Sequence, residues 1–183
     1  MRLTMPGFIF GLAFLRLQTI KWKVIKENIF LNKGASIKKT IVFIGNALSN
    51  HGYNPPQIDL LSKKLSKYFI VKSFSNKINK TLRLFHMISG VCLNYNRNTI
   101  ILIDTYSHYA FYYALICSIL CKVLHIKYIP ILRGGNLPFR IKRNPYLSKV
   151  IFGNSFHNVA PSIYMKKYFN NCQYKTKYIP NIK

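Results

Sequence analysis

From Lys39 onward, short β-branched runs alternate with stretches whose apolar residues recur every three or four positions. The run Thr40-Ile41-Val42-Phe43-Ile44 ends at Gly45 and predicts a buried strand. Residues 46–56 are polar with Gly and Pro and predict a loop. Residues 57–68 place apolar side chains at 58, 61, 65 and 68, with Lys63, Lys64 and Lys67 between them, which predicts a helix with one buried face. Strand character restarts at Phe69-Ile70-Val71 and breaks at Ser75-Asn76. Residues 80–95 predict a second helix with Leu82, Phe85, Ile88 and Cys92 on its buried side.

Thr99-Ile100-Ile101-Leu102-Ile103 predicts the clearest strand, ending at Asp104, and residues 108–125 predict a long apolar helix. Lys127 to Leu132 predicts a strand in which Pro130 fits an edge or a bulge. Residues 139–153 are basic and predict partial helix. Val159-Ala160 predicts a very short strand, Ser162 an N-cap for a helix from Ile163 to Phe169, and Tyr178-Ile179 a last strand. Strands alternating with helices imply an α/β fold: a Rossmann-like, doubly wound parallel sheet with the strand from Thr99 near its centre. No internal repeat or low-complexity tract interrupts the pattern.

Residues 1–38 read as a basic N-terminal extension and residues 39–183 as one domain. The apolar run 5–15 follows Arg2 and resembles a short signal-peptide core. No small-residue cleavage site follows, and the run is shorter than the roughly 20 residues a membrane-spanning helix needs. The stretch 105–121 is free of formal charge, but strands on both sides of it favour a buried crossover helix.

The net charge is +25, and the acids are Glu27, Asp59 and Asp104. Such a field attracts anionic partners: nucleic acid, a membrane surface or phosphate-bearing substrates. Codon bias is the bland alternative, because Lys (21 of the 28 cations), Ile, Asn and Tyr all have A/T-rich codons. Cysteines stand at 92, 117, 121 and 172, without a CxxC pair. Cys117 and Cys121, four apart in an apolar run, predict small hydrophobes on a helix core in a reducing compartment. With no His or Cys cluster at ligand spacing, neither a metal nor a cofactor is expected.

Ligands of open α/β sheets bind outside the carboxyl ends of the strands. Those ends hold Gly45 through Asn54, Asp104 through His108, and Arg133 through Leu137, which predicts one shared cleft. Gly45 and Gly52 allow close backbone approach to a ligand, yet the loop is neither a GxGxxG fingerprint nor a P-loop. Asp104 could accept hydrogen bonds from sugar hydroxyls or act as a base; equally it could cap a helix or pair with Arg133. His108 opens the following helix, as a ligand-binding, capping or solvated residue. In Arg133-Gly134-Gly135-Asn136, Arg can fork onto phosphate or carboxylate and the glycines allow tight approach, with a plain turn as the alternative.

In order and spacing, TIVFIGN, TIILIDTYSHYAFYYAL, YIPILRGGNLP, NVAPSIYMKKYF and the terminal YIPN resemble the N-terminal domain of family 4 glycosyltransferases, retaining enzymes of GT-B architecture. The resemblance covers about residues 39–182. It implies one of two Rossmann-like domains, the one that holds the acceptor, and makes Gly45, Gly52, Asp104, His108, Arg133, Gly134, Gly135 and Asn136 the acceptor-side candidates. Donor residues belong to the family's C-terminal domain and none is expected here. In the family IPN leads into the linker to that domain, so the chain reads as truncated before it, inactive alone and poorly soluble. Many members carry His where this chain has Arg133, so no imidazole role is carried over.

The partners implied are a glycan or lipid-linked sugar acceptor, a separate donor-binding domain and an anionic membrane surface reached through residues 1–38. The setting implied is cytoplasmic, peripheral at the inner face of the membrane. The rival classes are a membrane-surface binding module anchored by residues 1–39 and a basic nucleic-acid-binding module, for which the charge and the thirteen Tyr and thirteen Phe speak. Those aromatics lie largely in apolar runs and no RRM, KH or helix-turn-helix pattern is present, so no specific nucleic acid is expected.

Overall fold

The computed structural model describes residues 39–45, 57–74 and 79–181. The basic extension and the loop carrying Gly52 lie outside these residues. The strands are β1 (Thr40–Ile44), β2 (Ile70–Phe74), β3 (Thr99–Thr105), β4 (Lys127–Leu132), β5 (Asn158–Ala160) and β6 (Thr176–Tyr178). The helices are α1 (Gln57–Leu65), α2 (Lys80–Leu93), α3 (Ala110–Val123), α4 (Leu137–Arg143), α5 (Pro145–Ser148) and α6 (Ile163–Asn171). A π-helical turn, Lys149–Gly153, follows α5.

The six strands of the described residues are all parallel in the order β2-β1-β3-β4-β5-β6, flanked by helices, which is the Rossmann-like doubly wound arrangement. β3 is central and every residue of it is buried. Side chains alternate across a strand. One face of the sheet therefore puts Val42, Ile44, Ile101, Ile103, Tyr128 and Leu132 into the main core with Met87, Val91, Phe111, Cys117 and Cys121 of α2 and α3. The other face buries Ile41, Phe43, Ile100, Leu102, Ile129 and Ile131. Burial on both faces is why these strands read as unbroken apolar runs rather than as alternating ones.

Pro130 is not at an edge, since β4 lies between β3 and β5. The Tyr128 carbonyl accepts from the Phe156 amide, so even-numbered backbone groups of β4 face β5. Pro130 offers no N–H on that side, and the β4–β5 ladder shrinks to Ile131 opposite Val159. The proline is tolerated where the neighbouring strand is short.

Two helix expectations need correction. The first helix stops at Leu65 rather than running to 68. The Tyr68 and Phe69 amides close a turn onto the Leu65 carbonyl, Ile70 then bonds Lys39, and Tyr68 is left exposed. In α2 the buried side is Met87, Gly90 and Val91, while Leu82, Phe85 and Cys92 are exposed. Gly90 decides this orientation, for its missing side chain lets the Phe74 ring of β2 lie against the helix backbone. Lys72 Nζ donates to Asn94 Oδ1 at 2.8 Å, and Asn94 Nδ2 donates to the Gly90 carbonyl at 2.8 Å, fixing the end of α2 to the same strand.

Within the 105–121 stretch the crossover helix α3 begins only at Ala110, after β3 ends at Thr105, and it has Cys117 and Cys121 inside. No helix among the described residues is long and apolar enough to cross a membrane. Ser162 caps α6 as expected, its Oγ accepting from the Met165 amide at 3.2 Å.

Candidate functional site

The chain leaves β1 toward β2 on one side and returns to β3 on the other. The crevice between the carboxyl ends of β1 and β3 is thus the topological switch point, where open α/β sheets bind ligands. A small cleft lies there, lined by Ile44, Gly45, Met87, Asp104, Tyr106 and Tyr113 among others. The cleft holds about 10 Å3, roughly the room for one water. A ring-sized ligand would therefore rest across its mouth.

Beside the crevice stands the charged pair. In the β3–β4 register Asp104 lies opposite Ile131, and residues two apart share a face, so Arg133 is the diagonal neighbour of Asp104. The Arg133 amide donates to the Thr105 carbonyl at 2.9 Å, which holds its backbone at the strand end. From there Arg133 Nε donates to Asp104 Oδ1 at 3.1 Å and Nη1 to Asn181 Oδ1 at 2.8 Å. The guanidinium thus bridges the ends of β3, β4 and the segment after β6. It spreads over two acceptors instead of forking onto one carboxylate.

Burial pushes the Asp104 carboxyl above its ordinary range, and Arg133 offsets part of that rise. Burial likewise raises the Tyr106 phenol; the Asp104 charge adds to the shift and Arg133 opposes it. The carboxylate lies on the sheet face of Ile100 and Leu102, and Arg133 takes one of its oxygens. Of the two structural roles open to Asp104 from sequence, pairing is the one observed. The residue before α3 is Tyr109, which makes no side-chain cap.

Of the sequence candidates, Gly45 and Asp104 line the crevice, and Arg133 adjoins it through Asp104. Gly134, at φ +82°, and Gly135 are exposed, and a Cβ on either would meet nothing within 4 Å. Only the φ of Gly134 calls for glycine. Asn136 is exposed and does not cap α4. His108 is exposed and contributes its carbonyl to the start of α3. Gly52 lies outside the described residues. Tyr106, Tyr113 and Asn181 belong to the site but were not singled out from sequence. Tyr106 could have been found, since it follows directly on the carboxyl end of β3, where ligands of such sheets bind. Among the described residues no three His, Cys, Asp or Glu side chains group as metal ligands.

Comparison with protein-family models and with curated proteins finds no match to this chain.

Proposed function

We propose that residues 39–181 form the acceptor-binding half of a retaining sugar transferase of cell-surface glycan synthesis, with the acceptor seated at the β1–β3 switch point. The observation that carries this reading is the meeting of Gly45, Asp104, Arg133 and Asn181 at the carboxyl edge, because these come from the segments that resemble family 4 glycosyltransferases. The chemistry around them suits a carbohydrate. Tyr106 and Tyr113 offer ring faces for the C–H side of a sugar, and the phenol oxygens offer acceptors for hydroxyls. On this reading a second Rossmann-like domain, on this chain or another, grips the nucleotide sugar, because transfer needs both substrates held in register.

Titration of the protein with a panel of glycans and with nucleotide sugars tests the assignment. A glycan binding in the millimolar range or tighter (about −4 kcal/mol or better), weakened by Tyr106→Ala, with no heat from nucleotide sugars, is the expected outcome. Nucleotide-sugar binding, or turnover by this chain alone, would overturn the acceptor-side assignment.

A further inference from the structure

A second surface lies on the far side of α3. The helix buries one face against the sheet, with Cys117 and Cys121 in its middle. Tyr112, Ile116, Ile119 and Val123 form a stripe on the opposite side. Val123 is 67% exposed, Tyr112 45% and Ile119 44%, and Ile116 is half-buried. Lys122 is the one charged residue of the helix. A helix apolar on every side belongs in an interior, yet this one leaves its outward side bare.

The stripe is held in place and widens onto α2. The Tyr112 ring centre lies 5.0 Å from the Arg140 guanidinium, which ties it to α4. At the head of α3 the Tyr113 hydroxyl donates to the Lys80 carbonyl at 3.4 Å, and Lys80 Nζ lies 5.1 Å from the Tyr109 ring centre. The first turn of α2 is thereby joined to α3. In its second turn α2, on the same side of the sheet, exposes Phe85. The bare parts of Tyr109, Tyr112, Ile119, Val123 and Phe85 come to on the order of 500 Å2. Two such faces bury about 1,000 Å2 together, the floor for a specific interface.

We propose that the outward face of α3 joins two copies of this chain across a twofold axis. The spacing selects the occupant. From Tyr112 the stripe advances by four, three and four residues, so it reads the same from either end. That is the seam along which two helices pack, and a twofold interface must be complementary to itself. With the helices antiparallel and the axis level with the Cys117–Ser118 bond, Tyr112 meets the partner's Val123 and Ile116 meets the partner's Ile119. A large ring is then matched by a small side chain at each end, and like aliphatic groups meet in the middle. Charge points the same way. At +25 per copy two chains repel, so they can meet only where cations are sparse. Lys122 is turned about 100° from Val123 around the helix, which places it at the rim. An acidic protein or a nucleic acid would find no cation in the middle of this face. The inference is independent of the acceptor reading, because self-association needs no sugar.

Sedimentation velocity of the full chain between about 1 and 100 µM, at about 0.05 and about 0.5 M NaCl, is the test. A monomer–dimer equilibrium is expected. It should tighten several-fold at the higher salt, because screening weakens the repulsion between copies. Ile119→Lys with Val123→Lys should weaken the dimer by about tenfold or more, since it puts charge into an apolar contact. Phe139→Lys with Tyr146→Lys adds the same charge on α4 and α5 and should stay within about threefold. All four side chains are exposed, so circular dichroism should be unchanged. Cross-linking reads the orientation. In a Cys92→Ser, Cys172→Ser background, Ile119→Cys stands about 5 Å along the axis from its counterpart in the antiparallel pair, and Val123→Cys about 17 Å. A short bis-maleimide should link the first into a dimer and leave the second as monomer. A monomer at every concentration, as when another protein or a lipid surface is the occupant, would overturn the proposal. So would equal losses in face and control variants, association that weakens with salt, or linking of both cysteine variants or of neither.

Discussion

Arg133 reaches Asp104 across the end of the β3–β4 ladder, Nε to Oδ1 at 3.1 Å, with the carboxylate side chain only 3% exposed. Two costs compete in this pair. Burial disfavours the charged carboxylate, and the guanidinium beside it favours the charge. Burial is the larger, so the folded carboxyl holds its proton to a higher pH than the unfolded one.

That direction fixes a pH dependence. Between the unfolded value of about 3.9 and the raised folded value, the native state binds more protons than the unfolded state. Stability from this group is then fully present below pH ~3.9 and is lost as pH rises through the folded value. Asp104→Asn removes the titration while keeping an acceptor for Arg133. Urea midpoints from pH 3 to 7 should show the wild type losing ground relative to Asp104→Asn as pH rises. Arg133→Met should be worse at neutral pH, by about 3 kcal/mol, because it strands a buried charge, and should recover part of that loss in acid. A flat difference between wild type and Asp104→Asn across the range would show that the pair titrates alike folded and unfolded.

Much of this edge could be read in the sequence. Asp104 and Arg133 each close an apolar β run, and parallel strands must bring their carboxyl ends together. The pairing of the two was one of the roles open to Asp104. What could not be read is which acceptor Arg133 also takes. Asn181 comes from the far side of β5, and only the strand order brings it within 2.8 Å. The helix α2 misleads for a different reason. Its periodicity offers Leu82, Phe85 and Cys92 as an apolar side, but close approach to β2 is possible only at Gly90, and hydropathy gives a glycine no weight.

Gly90→Ala tests that explanation. In a helix the exchange should gain up to about 1 kcal/mol of propensity. Here the new Cβ would collide with the Phe74 ring and lie 2.8 Å from Phe74 Cβ, which sits next to the backbone and cannot swing away. Overpacking costs about 1–3 kcal/mol, so a net loss is expected, read as a lowered Tm. A gain in Tm would mean that the helix can slide off β2 at little cost.

Two helices end on residues in the left-handed region that are not glycine. After α3, His125 has φ +53°, and after α6, Gln173 has φ +63°. In both, the next amide reaches back to the third carbonyl from the helix end: Ile126 to Cys121 at 2.8 Å and Tyr174 to Phe169 at 2.9 Å. This is the Schellman closure, which ordinarily uses glycine. The Cβ of an L-residue costs roughly 1–2 kcal/mol in this conformation. His125→Gly and Gln173→Gly should each raise the chemical-denaturation midpoint, by up to about 1 kcal/mol once the greater freedom of unfolded glycine is counted. A loss from either would show that the side chain contributes more than its backbone strain costs.

The thiols provide a last test, of the α3 packing. Cys117 and Cys121 point into the core between the sheet and α2, whereas Cys92 is exposed at the end of α2. Burial pushes the Cys117 thiol up to about 12, with Cys92 adding to the shift, and raises Cys121 as well. The thiolate is the reactive form, so at pH 8 Cys117 stays almost wholly protonated and unreactive. Alkylation followed by peptide mass spectrometry should therefore mark Cys92 long before Cys117 or Cys121, which should react only through opening of the fold. The same shift sets a stability slope. Below the unfolded thiol value of about 8.5 both states hold the proton; above it the unfolded chain releases protons that the folded chain retains. Stability is thus lost as pH rises from about 8.5 toward the folded values, at up to about 1.4 kcal/mol per pH unit for each thiol. Cys117→Ala with Cys121→Ala should flatten that alkaline slope, even if the small cavities lower stability at pH 7. Modification of Cys117 as fast as Cys92 in the native protein, or an alkaline slope unchanged by the double variant, would place these side chains outside the core described for α3.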